Sequence, residues 1–131
     1  MAACVAGQSG TSVFPYGAAY SQGTCNDAFG CTPGVGCTTV PVGTKTDCRG
    51  KSSPYDGVFD LSGNVSEWTD CCEVIDTQTQ TLACRHRGGS FNSKASGSSG
   101  PSLECQGGDF LDLSEPDTVS SDVGFRCCSE P

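Results

Sequence analysis

Sulfur dominates the chemistry this chain can offer. Eleven cysteines stand at positions 4, 25, 31, 37, 48, 71, 72, 84, 105, 127 and 128 of 131 residues, beside a single histidine, His86. Thiols can hold soft metals, act as nucleophiles or pair as disulfides, and their spacing helps to tell these uses apart. No two of these cysteines have the CxxC spacing of zinc knuckles and thioredoxin-type sites, and with one histidine zinc is not expected. Structural disulfides are the expected use. The stretch CTPGVGC closes on itself, which suggests a Cys31–Cys37 bridge. An odd count leaves at least one thiol unpaired or joined to another chain. Other chemistry is sparse. His86 has no acid and serine in a recognisable order for a hydrolase triad. Asp109, Asp112, Glu115 and Asp117 could pair for acid–base work, but such a run reads as a solvated face.

The chain is long enough for one modest domain. A net charge of −8 would repel a phosphate backbone, so no nucleic-acid partner is expected. No run of about 18 apolar residues is present, so no membrane span is expected. The start MAACVAGQSGTSVFPYG has neither the basic opening nor the apolar run of a signal peptide. The cysteine content nevertheless points to an oxidising, extracytoplasmic or secreted setting.

The elements that must position these groups are short. MAACVA reads as the end of a helix, and TTVPVG (38–43) as an edge strand limited by its proline. GVFDL and VSEWT read as extended pieces around a Gly63-Asn64 turn. LACRHRGGSF (82–91) and VGFRCC (123–128) read as strands, separated by a long polar loop, 92–122, with one apolar island at Phe110–Leu113. Val58, Phe59, Leu61, Val65, Trp68, Val123 and Phe125 are the expected core. So small a core needs cross-links, each worth about 2–4 kcal/mol. Trp68 reads as packing against the sheet. Arg87 and Arg126 read as ties between loops, and Gly88 and Gly89 as sites of a backbone bend.

Three motifs, GVFDLSGNVSEWTD, RHRGGSF and DVGFRCC, occur in an order that resembles the formylglycine-generating enzyme (sulfatase-modifying factor) family, with its GLYDMxGNVWEW, LRGGSW and GFR segments. SVFPYG…CN resembles a fourth segment, YPWG…AN. The resemblance implies one α+β, loop-rich domain over 1–131, with a C-type-lectin-like fold and a small, mostly antiparallel, disulfide-stapled sheet. It also implies that the chain matches only the C-terminal portion of a family domain, so that a partner chain could complete it.

For the site, the resemblance implies calcium at Asn64, the Val65 carbonyl and Glu67, with a second position near Asn26 and Asp27. It implies a bridge from Cys4 to Cys127 or Cys128. Cys72, or its neighbour Cys71, is expected to pair with Cys84, and Cys25 with Cys48. The family's oxidases hold copper(I) between two cysteines after the RGGS motif, and these fall at or near Ser93 and Ser98. A serine hydroxyl stays protonated and is a hard ligand, so copper and oxidase activity are not expected. Cys105 matches a structural cysteine of the family instead. The expected function is a non-catalytic binding or structural module that displays loop 92–122, with Trp68, Arg87, Ser93 and Ser98 facing a protein, peptide or glycan ligand. The alternative is a divergent or truncated oxidase acting on a sulfatase cysteine.

Overall fold

The computed structural model describes residues 13–30, 36–94, 103–105 and 113–127. Four strands form one sheet: β1 (Ser66–Asp76), β2 (Thr81–Arg87), β3 (Leu113–Ser114) and β4 (Val123–Gly124), in the order β3-β2-β1-β4. β1 and β2 make a long antiparallel hairpin. Trp68, Thr69, Val74 and Ile75 favour extended backbone, and the tip turns because Asp76 and Gln80 supply what a reversal needs. Asp76 Oδ1 accepts hydrogen bonds from the backbone N–H groups of Gln78 (2.8 Å) and Thr79 (3.3 Å), and Gln80 takes a left-handed φ of 58°. Those bonds favour the ionised carboxylate and hold the Asp76 pKa below its usual value.

Two expectations about the sheet need correction. β1 pairs with β4 in parallel, Ser66 opposite Val123 and Glu67 opposite Gly124, so the sheet is mixed. Among the described residues there is no helix, and the MAACVA segment lies outside them. Most of the expected extended pieces contract, whereas VSEWT lengthens into β1. Around GVFDL only an isolated bridge between Arg49 and Phe59 forms, residues 38–43 make no strand, and VGFRCC contributes only Val123 and Gly124.

The core differs more. Phe14, Pro15, Cys25, Cys48, Ala83, Cys84, Phe91, Leu103 and Cys105 are buried. Of the expected members, Val58, Phe59, Leu61, Val65, Trp68 and Val123 are half-buried, and Phe125 is 77% exposed. The cause is local, because β4 ends at Gly124 and Phe125 follows it into solvent. The interior is built instead from loop residues together with Ala83 and Cys84 of β2. Phe14 stacks on Tyr16 with ring centroids 5.3 Å apart, Cys105 N–H donates to the Val13 carbonyl (2.8 Å), and Ser62 Oγ donates to the Leu103 carbonyl (2.7 Å).

Two disulfides staple this interior, Cys25–Cys48 and Cys72–Cys84. Cys37 and Cys105 are also disulfide-bonded. Cys71 and Cys127 are free, exposed thiols, so a bridge from Cys4 does not use Cys127, which sits in the exposed segment beyond the short β4. Cys4, Cys31 and Cys128 lie outside the described residues. Cys25–Cys48 closes a loop with a sequence separation of 23 between two buried residues that no strand connects. Removing it as the Cys25→Ala/Cys48→Ala pair is expected to lower the unfolding free energy by about 3 kcal/mol, measured by urea titration.

Candidate functional site

The Gly63-Asn64 turn is the junction at which the loops meet. Both residues are left-handed, with φ of 73° and 66°. A Cβ on Gly63 would lie 2.3 Å from the Asn26 carbonyl oxygen, so only glycine allows this approach. It lets Gly63 N–H donate to the Gly88 carbonyl and Asn64 N–H to the Asn26 carbonyl, both at 2.8 Å, while the Asn64 carbonyl accepts from Phe91 N–H at 3.1 Å.

The Asn64 side chain then behaves like a piece of backbone. Its Oδ1 accepts from Val40 N–H (2.9 Å) and its Nδ2 donates to the Val40 carbonyl (3.0 Å), the paired pattern of a β-ladder made by one amide. This is where the expected edge strand at 38–43 finds its partner. Asn26 Nδ2 completes the junction with bonds to the Thr38 carbonyl (2.9 Å) and to Asn64 Oδ1 (3.1 Å). Next to it Asp27, fully buried, accepts from the Tyr20 hydroxyl (2.8 Å) and from the N–H groups of Phe29 (2.9 Å) and Gly30 (2.7 Å). Burial, and the hydrogen bond to Asp27, push the Tyr20 hydroxyl pKa up.

Three residues on, Glu67 projects from β1 toward the segment after β4. Arg126 Nε donates to both Glu67 carboxylate oxygens at 3.0 Å, its Nη2 donates to Oε1, and the same Nη2 donates to the Phe59 carbonyl at 2.9 Å. One guanidinium therefore ties β1, the chain after β4 and the stretch before the Gly63-Asn64 turn. Trp68, the next residue of β1, is half-buried and meets His86 edge-on, with ring centroids 5.5 Å apart. His86 Nε2 in turn shares a hydrogen bond with Ser114 Oγ of β3 (3.3 Å). Arg87 stands opposite Glu67 on β2. At its end the chain bends through Gly88 and Gly89, both left-handed, and a Cβ on Gly88 would sit 2.6 Å from the Leu61 carbonyl oxygen.

The donor set can be weighed against calcium. Asn64 Oδ1 already accepts two hydrogen bonds, and both oxygens of Glu67 are held by Arg126. Asn26 and Asn64, assigned to two separate metal positions, bond to each other. The described residues contain no group of three or more His, Cys, Asp or Glu side chains placed to hold an ion. In this arrangement the side chains do not fit calcium, whose six to eight oxygen ligands normally include several carboxylates. An ion at Glu67 would have to displace Arg126.

Ser93 and Ser98 are the residues expected at or near the family's copper thiolates. Ser93 is buried, its Oγ accepts from Ser90 N–H (2.8 Å), and Ser93 N–H donates to the Ser90 carbonyl (3.0 Å). Its carbonyl accepts from Ala28 N–H at 3.1 Å, which fastens the turn to the loop beside Asn26. Ser98 lies outside the described residues. Between Ser90 and Cys127 the sequence has one cysteine, Cys105, and it is disulfide-bonded. A copper(I) ion held by two thiolates has no donors there. Of the residues expected to face a ligand, Trp68 and Arg87 lie half-buried on the sheet, whereas Ser93 is enclosed.

A cross-linked, loop-rich domain built around the GNVSEW turn, the RGGS bend and the GFR arginine is the class of protein these features define. The sequence profile of the sulfatase-modifying factor enzyme 1-like domain matches residues 1–131, and the chain belongs to that family. No curated protein matches the chain.

Two measurements follow from the junction. Asn64→Asp exchanges the Nδ2 donor for a second acceptor facing the Val40 carbonyl, and is expected to cost about 3 kcal/mol in urea unfolding, because a buried charge then lacks its partner. Calcium and a chelator are expected to give the native chain the same melting temperature. Arg126→Gln, which removes the grip on Glu67 and the Phe59 carbonyl, is expected to melt lower.

Proposed function

We propose that this chain is a non-catalytic binding or structural module of the sulfatase-modifying factor family, with a lectin-like frame that presents loop 92–122 to a protein, peptide or glycan. The observation that carries this reading is the Ser90–Ser93 turn. Where the family's oxidases place the first copper thiolate, this chain has a serine whose hydroxyl supports the backbone of its own turn. The side chain is 3% exposed and points its oxygen at Ser90 N–H, so it offers a substrate neither a nucleophile nor a soft ligand.

The rest of the arrangement supports stability over turnover. Glu67, Arg126, Asn26, Asn64 and Asp27 spend their polar atoms on one another and on backbone groups. Such networks rigidify a loop scaffold and fix the point from which a variable segment leaves. The segment 92–122 leaves from the Ser90–Ser93 turn, is pinned along its course by the buried Leu103 and Cys105 and by the pairing of β3 with β2, and returns at β4. An extracytoplasmic setting agrees with the cross-links.

The test is direct. The chain, supplied with copper, a thiol reductant and a peptide of the CxPxR type found in sulfatases, is expected to yield no formylglycine by mass spectrometry. Conversion of the peptide cysteine would overturn the reading and require a copper site elsewhere.

A further inference from the structure

The hairpin carries an arrangement of sulfur that the scaffold role does not use. Cys72 of β1 and Cys84 of β2 stand directly opposite each other and are bonded, while Cys71, the residue before Cys72, is free and exposed. We propose that these three cysteines form a thiol–disulfide exchange site in which Cys71 and Cys72 compete for Cys84, and that the winner sets the strand register of the hairpin arm.

The register itself points there. Trp68 pairs with His86 and Cys72 with Cys84, so Thr69, Asp70 and Cys71 on β1 face only Arg85 on β2. The slack is gathered by Thr69, whose Oγ1 donates to the Arg85 carbonyl (2.9 Å) and accepts from Cys71 N–H (3.4 Å). An ordinary bulge sets two residues against one. Pairing Cys71 with Cys84 would leave only Thr69 and Asp70 opposite Arg85 and would produce that ordinary bulge.

A slip by one residue turns every side chain of a strand to the other face, which burial normally forbids. Here burial forbids it on one strand only. Ala83, Cys84 and His86 of β2 are buried, which anchors that strand, whereas every residue from Asp70 to Gln80 is exposed. Sliding β1 past β2 would therefore move no core side chain. It would part the surface ion pair of Arg85 with Glu73 (3.2 Å), a type of contact that contributes little. It would also exchange the faces on which Val74 and Ile75, 46% and 56% exposed, are presented.

The chemistry is an isomerisation and balances without an oxidant or reductant. The Cys71 thiolate attacks Cys84 Sγ, a Cys71–Cys84 bond forms, and the bond between Cys84 and Cys72 breaks. Cys72 leaves as thiolate and takes up the proton that Cys71 lost. A small thiol can relay the same change: it attacks the exposed Cys72 and releases Cys84, Cys71 then attacks the small thiol's sulfur and frees Cys72, and Cys84 attacks Cys71 Sγ to form Cys71–Cys84 and release the small thiol. Because the thiolate is the attacking form, exchange should accelerate as pH rises and stop in acid.

The full chain, incubated at mildly alkaline pH with a trace of reduced glutathione, quenched in acid and alkylated, would be digested and sequenced by fragment mass spectrometry. The expected result is label on Cys71 in some molecules and on Cys72 in others, with the minor isomer above about 1%. Cys127, free and exposed in both isomers, serves as the internal standard. Cys72→Ser is expected to form Cys71–Cys84, and Cys71→Ser to abolish exchange. Label confined to Cys71 in the native chain would overturn the proposal, whether or not the Cys72→Ser chain folds. Free Cys71 and Cys84 in a folded Cys72→Ser chain would do the same.

Discussion

Everything in this protein depends on one amide. Asn64 sits at the tip of a tight left-handed turn and bonds through its backbone and side chain to Asn26, Val40 and Phe91. Those contacts come from three separate stretches of chain, none of which has regular structure of its own near the junction. A hydrophobic core of ordinary size would hold such loops by buried area. This chain has few large apolar residues to spare, so the holding is done by directional polar bonds in a dry place. Unpaired, each of those groups would be costly to bury, which makes the junction cooperative and leaves few alternative arrangements.

The Cys25–Cys48 disulfide acts on the same problem from the unfolded side. Cys25–Cys48 joins the residue next to Asn26 to a buried residue packed under the turn, with Cys48 Sγ 3.1 Å from the Ser62 carbonyl. The cross-link and the amide junction restrain the same loop at adjacent residues. Glu67 and Arg126 add a third restraint at the other end of the turn. The family's sequence hallmarks, GN, E, GG and GFR, thus read in physical terms. They are the residues that let loops approach backbone to backbone and tie them once they are close.

How much of this was legible in the sequence depends on the range over which each feature acts. The Gly63-Asn64 turn and the bend at Gly88-Gly89 are local and could be read from residue types, whereas β1 and β2 were expected only as two separate extended pieces. The Cys72–Cys84 pairing was accessible because it closes the loop between the tryptophan segment and the RGG strand, with Cys71 left open as the alternative, and Cys25–Cys48 was the second pair expected. The extended reading of residues 38–43 was half correct: Val40 does pair, but with a side chain, and no strand pattern announces that. Phe125 was placed in the core because VGFRCC looks like a strand, and its exposure follows from a tertiary fact, that β4 pairs with β1 for only two residues. Glu67 was read as a ligand by analogy with its motif. Its actual partner, Arg126, was visible only as a residue suited to tying loops, since nothing local connects two positions so far apart in the chain.

The parallel pairing of β1 with β4 has a consequence for the order in which the molecule comes together. The hairpin can form as soon as Thr81–Arg87 is available, because its contacts are close in sequence. The pairing of Ser66 with Val123, and the grip of Arg126 on Glu67, must wait until all the intervening chain has been laid down. Loop closure of that length is slow compared with hairpin formation. During synthesis the outer edge of β1 therefore stands open for as long as the intervening segment takes to arrive. Asp70, Glu73 and Asp76 along that strand give the waiting edge a negative charge, which discourages two nascent copies from pairing with one another before the proper neighbour arrives.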